Sequence, residues 1–391
     1  MAHQRSRAAQ QTLSPEIDQT LWQKAQALHG NLLTIDTHAD TPLVYLKQPF
    51  DLTMRQAQGH LDIARMREGK LRVQFFAAYT PTRFSMGEGA LHFGMRMLDI
   101  IHHMIESHPQ DFALAYSSAD IRRLAESDKI VLAIGMENGE PIEGNLANLR
   151  NFYRLGVRYL TLTHWLNNHL GDSSTDAEPL WNGLSDFGKE VVQECNHLGI
   201  MIDVSHVHDT VVEACLDLSR APLLASHSNA HALCDHPRNL SDDLIKRIAA
   251  AGGVIQVNFS NDFLSQPHCN HSRRYEAEEQ RLKQELDNSE EVVILMKEWL
   301  AQNPPPAPPP IDIIIEHIEH IVNLTGSVEH VGFGSDFDGI KYTPAGLEDV
   351  SAIPKLTYHL LKRGFSEKDI QKIWGENLLR VMASAEQAAG R

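Results

Sequence analysis

Cysteine is scarce in this chain and never paired in sequence: Cys195, Cys215, Cys234 and Cys269 stand apart and form no CxxC motif. Neither a thiolate zinc site nor a dithiol redox motif is indicated, and free thiols are the default. No apolar run is long enough to span a bilayer, and the N-terminus, MAHQRSRAAQQTLSPEI, has basic residues without the apolar stretch of a secretory signal. A cytoplasmic location is the expectation. Positive charge is also in short supply: 35 Lys and Arg against 51 Asp and Glu give a formal net charge of -16. Such a field repels phosphate backbones and anionic lipid, so neither nucleic acid nor a membrane is an expected partner, whereas cations are welcome.

What is present is an ordinary globular composition, 42% hydrophobic over 391 residues, enough to bury a sizeable core. Eight short apolar runs recur, at residues 32–38, 72–79, 130–137, 157–164, 200–206, 222–228, 253–259 and 330–339. Each is nearly continuous, as strands buried on both faces of a parallel sheet are. Between them lie segments such as SDFGKEVVQECNHLG (185–199) and SDDLIKRIAAAGG (241–253), which open on a serine suited to cap a helix and close on glycine. Strand and helix alternating eight times predict a (β/α)8 barrel of the TIM type. Residues 1–30 are expected to form an N-terminal arm with a leading helix, and 31–391 a single catalytic domain. A stretch at about 261–310 falls outside the repeat, as an insertion before the last helix and strand. It holds a charged helical run followed by NPPPAPPP, a stiff extended spacer.

Barrels of this kind carry their chemistry at the C-terminal ends of the strands. There the first run ends in His38-Ala39-Asp40, the third at Glu137, the fourth at His164, the fifth at His206, the sixth at His227 and the eighth at Asp336. Residues two apart on an extended chain point to one side, so His38 and Asp40 can meet one metal. One buried histidine at a strand end is more often a hydrogen-bonded core residue than a ligand. Six strands agreeing is different, because burying that many ionisable groups together costs several kcal/mol per uncompensated charge. A divalent metal is the cheapest compensation. Imidazoles with carboxylates and no thiolate suit zinc, with manganese or cobalt as alternatives. The ligands outnumber one tetrahedral shell, and two ions sharing a bridging carboxylate account for the surplus.

The motifs IDTHADTP, GMENGEP, RYLTLTHWLNN, IDVSHV, ASHSNAHALCDHPRNLSDD and HVGFGSDFDGI resemble, in order and spacing, those of the renal or membrane dipeptidase family of zinc metallopeptidases, here of a soluble bacterial type. The resemblance covers nearly the whole chain except the N-terminal arm and the proline-containing insertion. It implies a dipeptide substrate and two zinc ions, held by His38, Asp40, Glu137, His206 and His227 with Glu137 bridging. It further implies that His164 contacts the substrate carbonyl, that Arg238 holds the terminal carboxylate, and that Asp336 binds substrate and transfers the proton. Arg238 is the one residue of this set that the strand-end pattern does not pick out. The chain departs from the family where it has Asn138 in place of a glycine, Ser260 where an aromatic is common, and THWLNNHLGDSSTD in place of the commoner THNCN pattern. These changes spare the ligands and alter the pocket walls. The ending VMASAEQAAGR lacks the apolar tail of lipid-anchored members.

Two rival functions stand beside this one. A deaminase, lactonase or phosphotriesterase on the same scaffold would often bridge its metals with a carboxylated lysine, where this chain has Glu137. A metal-binding protein without catalysis would be expected to lose His164 or Asp336, and both are present. A homodimer stays open. The pair His317 and His320 in IEHIEHIVNL matches neither HExxH nor HxxEH and is expected on a solvated helix face. His102, His103 and His108 are expected at the surface, and Asp338 is expected to shape its loop.

Overall fold

The computed structural model describes residues 18–390 apart from 85, 87, 88 and 287, so the arm before residue 18 lies outside the described residues. The expected leading helix spans Gln19–His29, where the Asp18 carboxylate accepts the N–H groups of Thr20 and Leu21 that a helix start leaves unpaired.

In chain order the strands are β1 (Ile35–Ala39), β2 (Val73–Tyr79), β3 (Phe112–Leu114), β4 (Ile130–Glu137), β5 (Val157–Thr161), β6 (Met201–Asp203), β7 (Leu224–Ala225), β8 (Val254–Val257) and β9 (Val331–Phe333). They pair in parallel in the order β1-β2-β4-β5-β6-β7-β8-β9, and β3 lies beside the first half of β4. The eight strands of that path are the eight apolar runs of the sequence, and β3 is an addition that three residues of sequence did not announce. One parallel bridge, Ala39 to Phe337, closes the ring between β1 and β9. Beside it Asp40 N–H donates to Phe337 O at 2.9 Å and Asp336 N–H to His38 O at 3.1 Å.

Helices follow the expected punctuation. Ser185 caps Asp186–Leu198 by accepting from Gly188 N–H, and Gly199 ends it at φ 79, a left-handed conformation that only glycine adopts at little cost. Ser241 caps Asp242–Ala250 in the same way through Leu244 N–H. The residues that open several strands, Ile35, Val73, Val131, Met201, Leu224 and Val254, form one apolar cluster with Leu378, Leu379, Val381 and Met382 of the helix Asn377–Ala388. That last helix therefore plugs the end of the barrel where the strands begin, leaving the opposite end open.

A bulge in β1 sets the site. From Asp36 to Ala39 three steps of β1 run against the two from Gln74 to Phe76 in β2. Ile35 and His38, of opposite parity, consequently both face the barrel axis, the first among the opening apolar residues and the second at the functional end.

The expected insertion contains helices Asn261–Leu264, Gln266–Glu285 and Ser289–Gln302. The two long ones share a small apolar cluster of Leu282, Val292 and Met296. The proline run after them is extended and docks, with Pro309 O accepting Ala345 N–H at 2.8 Å.

The helix Asp312–Thr325 carries a correction. His317 is not solvated but fully buried, accepting Ala230 N–H at Nδ1 (3.1 Å) and facing Leu264 O with Nε2 (3.2 Å). The reason is periodicity: Ile314, His317, Ile318 and Ile321 follow the i, i+3, i+4, i+7 pattern of a core face, and all four are buried. His320 is half-buried against Asp242 at 2.8 Å. His102 is also partly buried, with Nε2 2.7 Å from Leu155 O.

Candidate metal centre

Every expected site residue lies at the open end of the barrel. Glu137 closes β4 and His38 sits in β1, but the rest stand just past their strands: Asp40 begins the next helix, and His164, His206, His227 and Asp336 follow β5, β6, β7 and β9 by two or three residues. The backbone there is bent rather than extended. His206 has φ 70 and Asp336 φ 60, left-handed values that are costly for residues with a side chain and that gather where function demands a fixed geometry.

Glu137 is the hub. Its Oε2 lies 3.4 Å from His38 Nε2, and its Oε1 lies 3.2 Å from His206 Nε2 and 3.6 Å from both His227 Nε2 and His164 Nε2. Asp40 Oδ2 is 3.6 Å from His38 Nε2. His206 Nε2 and His227 Nε2 approach to 2.9 Å. Three groups therefore offer converging donor atoms: His38, Glu137 and His227; Glu137, His164 and His206; His38, Asp40 and Asp336. The seven residues brought together are the five expected ligands with His164 and Asp336. By distance alone His164 is as close to Glu137 as His227 is.

These residues fit metal ions on physical grounds. His38 Nε2, Asp40 Oδ1 and His206 Nδ1 are buried without a hydrogen-bond partner among the described residues, although buried polar atoms are ordinarily paired. Burial, and then the neighbouring cationic groups, hold His206 and His227 well below the usual histidine range, so their lone pairs are free at neutral pH. His164 is likewise kept neutral, by burial and then by Arg238 and His38. Burial pushes Glu137 upward, with Asp40 adding to the rise and His38 opposing it. Three carboxyl and four imidazole groups without a thiolate form a hard to borderline donor set.

Arg238 is buried beside this cluster. Nη2 donates to His227 O at 3.1 Å, Nε has no partner among the described residues, and the guanidinium lies 5.5 Å over the Phe263 ring. Burial pulls it down to about 10, against the charges of Asp336, Glu137 and Asp203 that hold it up, so it remains a cation at neutral pH. Asp336 is partly open to the cleft, and its Oδ2 accepts from Asn258 Nδ2 at 2.8 Å. Desolvation, reinforced by Asp40 and Glu137 against His38, pushes it up to about 7. Asp338 shapes the loop as expected, accepting from His60 N–H (2.6 Å) and Thr41 Oγ1 (2.6 Å).

The cleft above the cluster has a volume of about 630 Å³, room for a small peptide. Tyr79, Trp165, Ser260 and Phe263 line it, and Ser272 and Glu276 of the insertion complete one wall. Two of the three family departures thus touch the cleft. The third, Asn138, lies behind it at φ 75, donating to Thr80 O and accepting from Asn168 Nδ2. Tyr79 and Asn258 went unrecognised in the sequence although each is a polar residue at a run's end, the same signal that selected the others. Nothing in the sequence pointed to Ser272 or Glu276.

Comparison with known proteins identifies the family. The family described as membrane dipeptidase (peptidase family M19) matches residues 22–391. Dipeptidase 3 of Mus musculus is 33% identical over 379 residues, covering 95% of this chain and 68% of its own. The crystal structure of the probable dipeptidase PvdM from Pseudomonas aeruginosa superposes with a TM-score of 0.83 at 28% identity, over 95% of this chain and 100% of that one. A metallo peptidase from Rhodobacter sphaeroides, solved with a phosphinate mimic of the dipeptide L-Ala-D-Ala, gives 0.75 at 26% identity over 90% and 99%. With its barrel, its histidine and carboxylate cluster and a family match that runs from the leading helix to the last residue, this chain belongs to the membrane dipeptidase family, peptidase family M19.

Proposed function

We propose that the protein hydrolyses dipeptides bearing a free C-terminal carboxylate, with two zinc ions held by His38, Asp40, Glu137, His206 and His227 and bridged by Glu137. The reading takes residues 31–391 as the catalytic unit. The observation that carries it is Arg238: a buried cation whose Nε has no partner among the described residues, directly beside the histidine and carboxylate cluster. A guanidinium so placed asks for a planar anion, and a peptide whose carboxylate lies there brings its single peptide bond over Glu137. The likeness to a peptidase solved with a dipeptide mimic supports the same substrate class.

The ions would supply a water acidic enough to attack at neutral pH and a pull on the peptide carbonyl. The protein's own groups do the rest. Arg238 fixes the terminal carboxylate and with it the register of the scissile bond. His164, neutral, faces the oxygen on which negative charge develops and stabilises it as a hydrogen-bond donor. Asp336 takes the proton from the attacking water and returns it to the departing amine, while Asn258 holds one of its oxygens and leaves the other facing the cleft.

The test compares a dipeptide with its C-terminal amide in the wild type and in Arg238→Ala, alongside elemental analysis. The expected result is about two zinc per chain, strong preference for the free acid, and loss of that preference in the variant, mainly through KM. Equal cleavage of acid and amide by the wild type would refute the carboxylate clamp, and full activity without metal would refute the metal reading.

A further inference from the structure

Two of the imidazoles in this centre rest on hydroxyl groups whose only proton is already committed. Tyr159 Oη lies 3.2 Å from Thr37 O and 2.8 Å from His38 Nδ1. A backbone carbonyl can only accept, and a phenol that donates its proton to Thr37 O is left to accept from His38 Nδ1–H. Ser226 repeats the arrangement: Oγ is 2.6 Å from Asp203 Oδ2 and 2.8 Å from His227 Nδ1. The Asp203 carboxylate also accepts from Ser226 N–H (2.8 Å), Ser205 N–H (3.1 Å) and Thr161 Oγ1, so it takes the serine proton and Oγ accepts from His227 Nδ1–H. In each case the histidine carries a proton at Nδ1 and turns Nε2, the atom left to a metal, toward Glu137.

We propose that Tyr159 and Ser226 are positioning residues that lock His38 and His227 in the Nδ1–H tautomer, the first for a metal position shared with Asp40, 3.6 Å from His38 Nε2, and the second for one shared with His206, 2.9 Å from His227 Nε2. The inference rests on the metal reading above and goes past it to residues that touch neither metal nor substrate. His206 provides the contrast, since its Nδ1 has no partner among the described residues. The fold makes room for the first lock at some cost. A Cβ on Gly135 would lie 1.9 Å from Tyr159 Cζ, so only glycine on β4 admits the ring beneath His38. A tyrosine serving only to fill the core, stacked as this one is on Phe75 at 5.8 Å, would need no such arrangement of its hydroxyl.

The experiment uses the full chain with Tyr159→Phe and Ser226→Ala. Each protein is loaded with cobalt, and the metal is withdrawn by competition with a chromophoric chelator, which yields two stepwise dissociation constants. Tyr159→Phe is expected to weaken the ion at His38 and Asp40 by roughly 10–100-fold, the usual effect of removing a ligand's supporting hydrogen bond, and to leave the other equivalent within about threefold. Ser226→Ala is expected to weaken the opposite equivalent, the one at His206 and His227. Urea midpoints of the metal-free proteins give a readout of general damage. Retention of wild-type affinity at both positions in either variant overturns the proposal, as does equal weakening of both positions in both variants. A wild type that binds less than one equivalent overturns instead the metal reading beneath it.

Discussion

Asn258 grips one oxygen of Asp336, and the backbone of Asp336 is itself bent into a left-handed conformation, so this carboxylate has little freedom to wander from the cleft. A group held so firmly and required only while protons move should matter more to turnover than to binding. Asp336→Asn is expected to lower kcat by roughly 10² to 10⁴ fold with a small change in KM and full zinc content. Steady-state kinetics and metal analysis on one preparation check this; loss of zinc would make Asp336 a ligand, and near-normal kcat would remove it from the mechanism. At this scale the sequence was legible wherever chemistry restricts residue type. A histidine, aspartate or glutamate after an apolar run is conspicuous, and this is how His38, Glu137, His206 and Asp336 stand out. Tyr159 and Ser226 were not, because a tyrosine inside a strand and a serine after one look like ordinary packing until hydrogen-bond distances are known.

The helix Asp312–Thr325 reaches toward the functional end through His317. Its ring joins Ala230, in the loop that runs from His227 to Arg238, to Leu264, in the segment after β8. His317→Leu would bury an unpaired N–H and an unpaired carbonyl, at a cost on the order of 2–4 kcal/mol. Because the freed loop carries Arg238, KM for dipeptides should rise more than kcat falls. Urea denaturation and kinetics measure the two effects, and an unchanged urea midpoint would show that the ring carries no load. Elements were legible in so far as they obey periodicity. Apolar runs announced eight strands, and serine and glycine announced helix ends, yet strand ends were set too late from β5 to β9, where the chain leaves the sheet to carry the site residues. The bulge in β1 had no sequence mark, since an extra residue in a strand shows only against its partner. His317 was the reverse case: its place on an isoleucine stripe was readable, and its polarity obscured it.

Across the molecule, buried neutral histidines make stability depend on acidity. His29 accepts from Thr357 Oγ1, which in turn accepts from Trp374 Nε1–H, and its Nε2 faces Gly69 O. Burial holds it down to about 4, against the lift from the Gly69 carbonyl, and His317 is held at about 4 for the same reason. Both folded values lie below the unfolded value of 6.5, so the stabilisation is complete above pH 6.5. It is lost as pH falls toward 4, because the unfolded chain takes up protons that the native one refuses. Each histidine should cost about 2 kcal/mol by pH 5 relative to pH 7. Urea unfolding of the wild type and His29→Gln at both pH values isolates one share; parallel losses would rule it out. Barrel architecture was the most legible feature of all, because it needs only the count and order of alternating segments. How the ring shuts was not legible, and that seam has a further consequence. Ser335 binds the Asp36 carboxylate across 299 positions of sequence, and the single bridge beside it brings Asp336 to His38. Contacts so distant form late, after the loop entropy of the intervening chain has been overcome. A growing chain on the ribosome carries most of the proposed metal ligands long before it carries Asp336, so on the proposed mechanism it cannot cut peptides until the segment after β9 has been made.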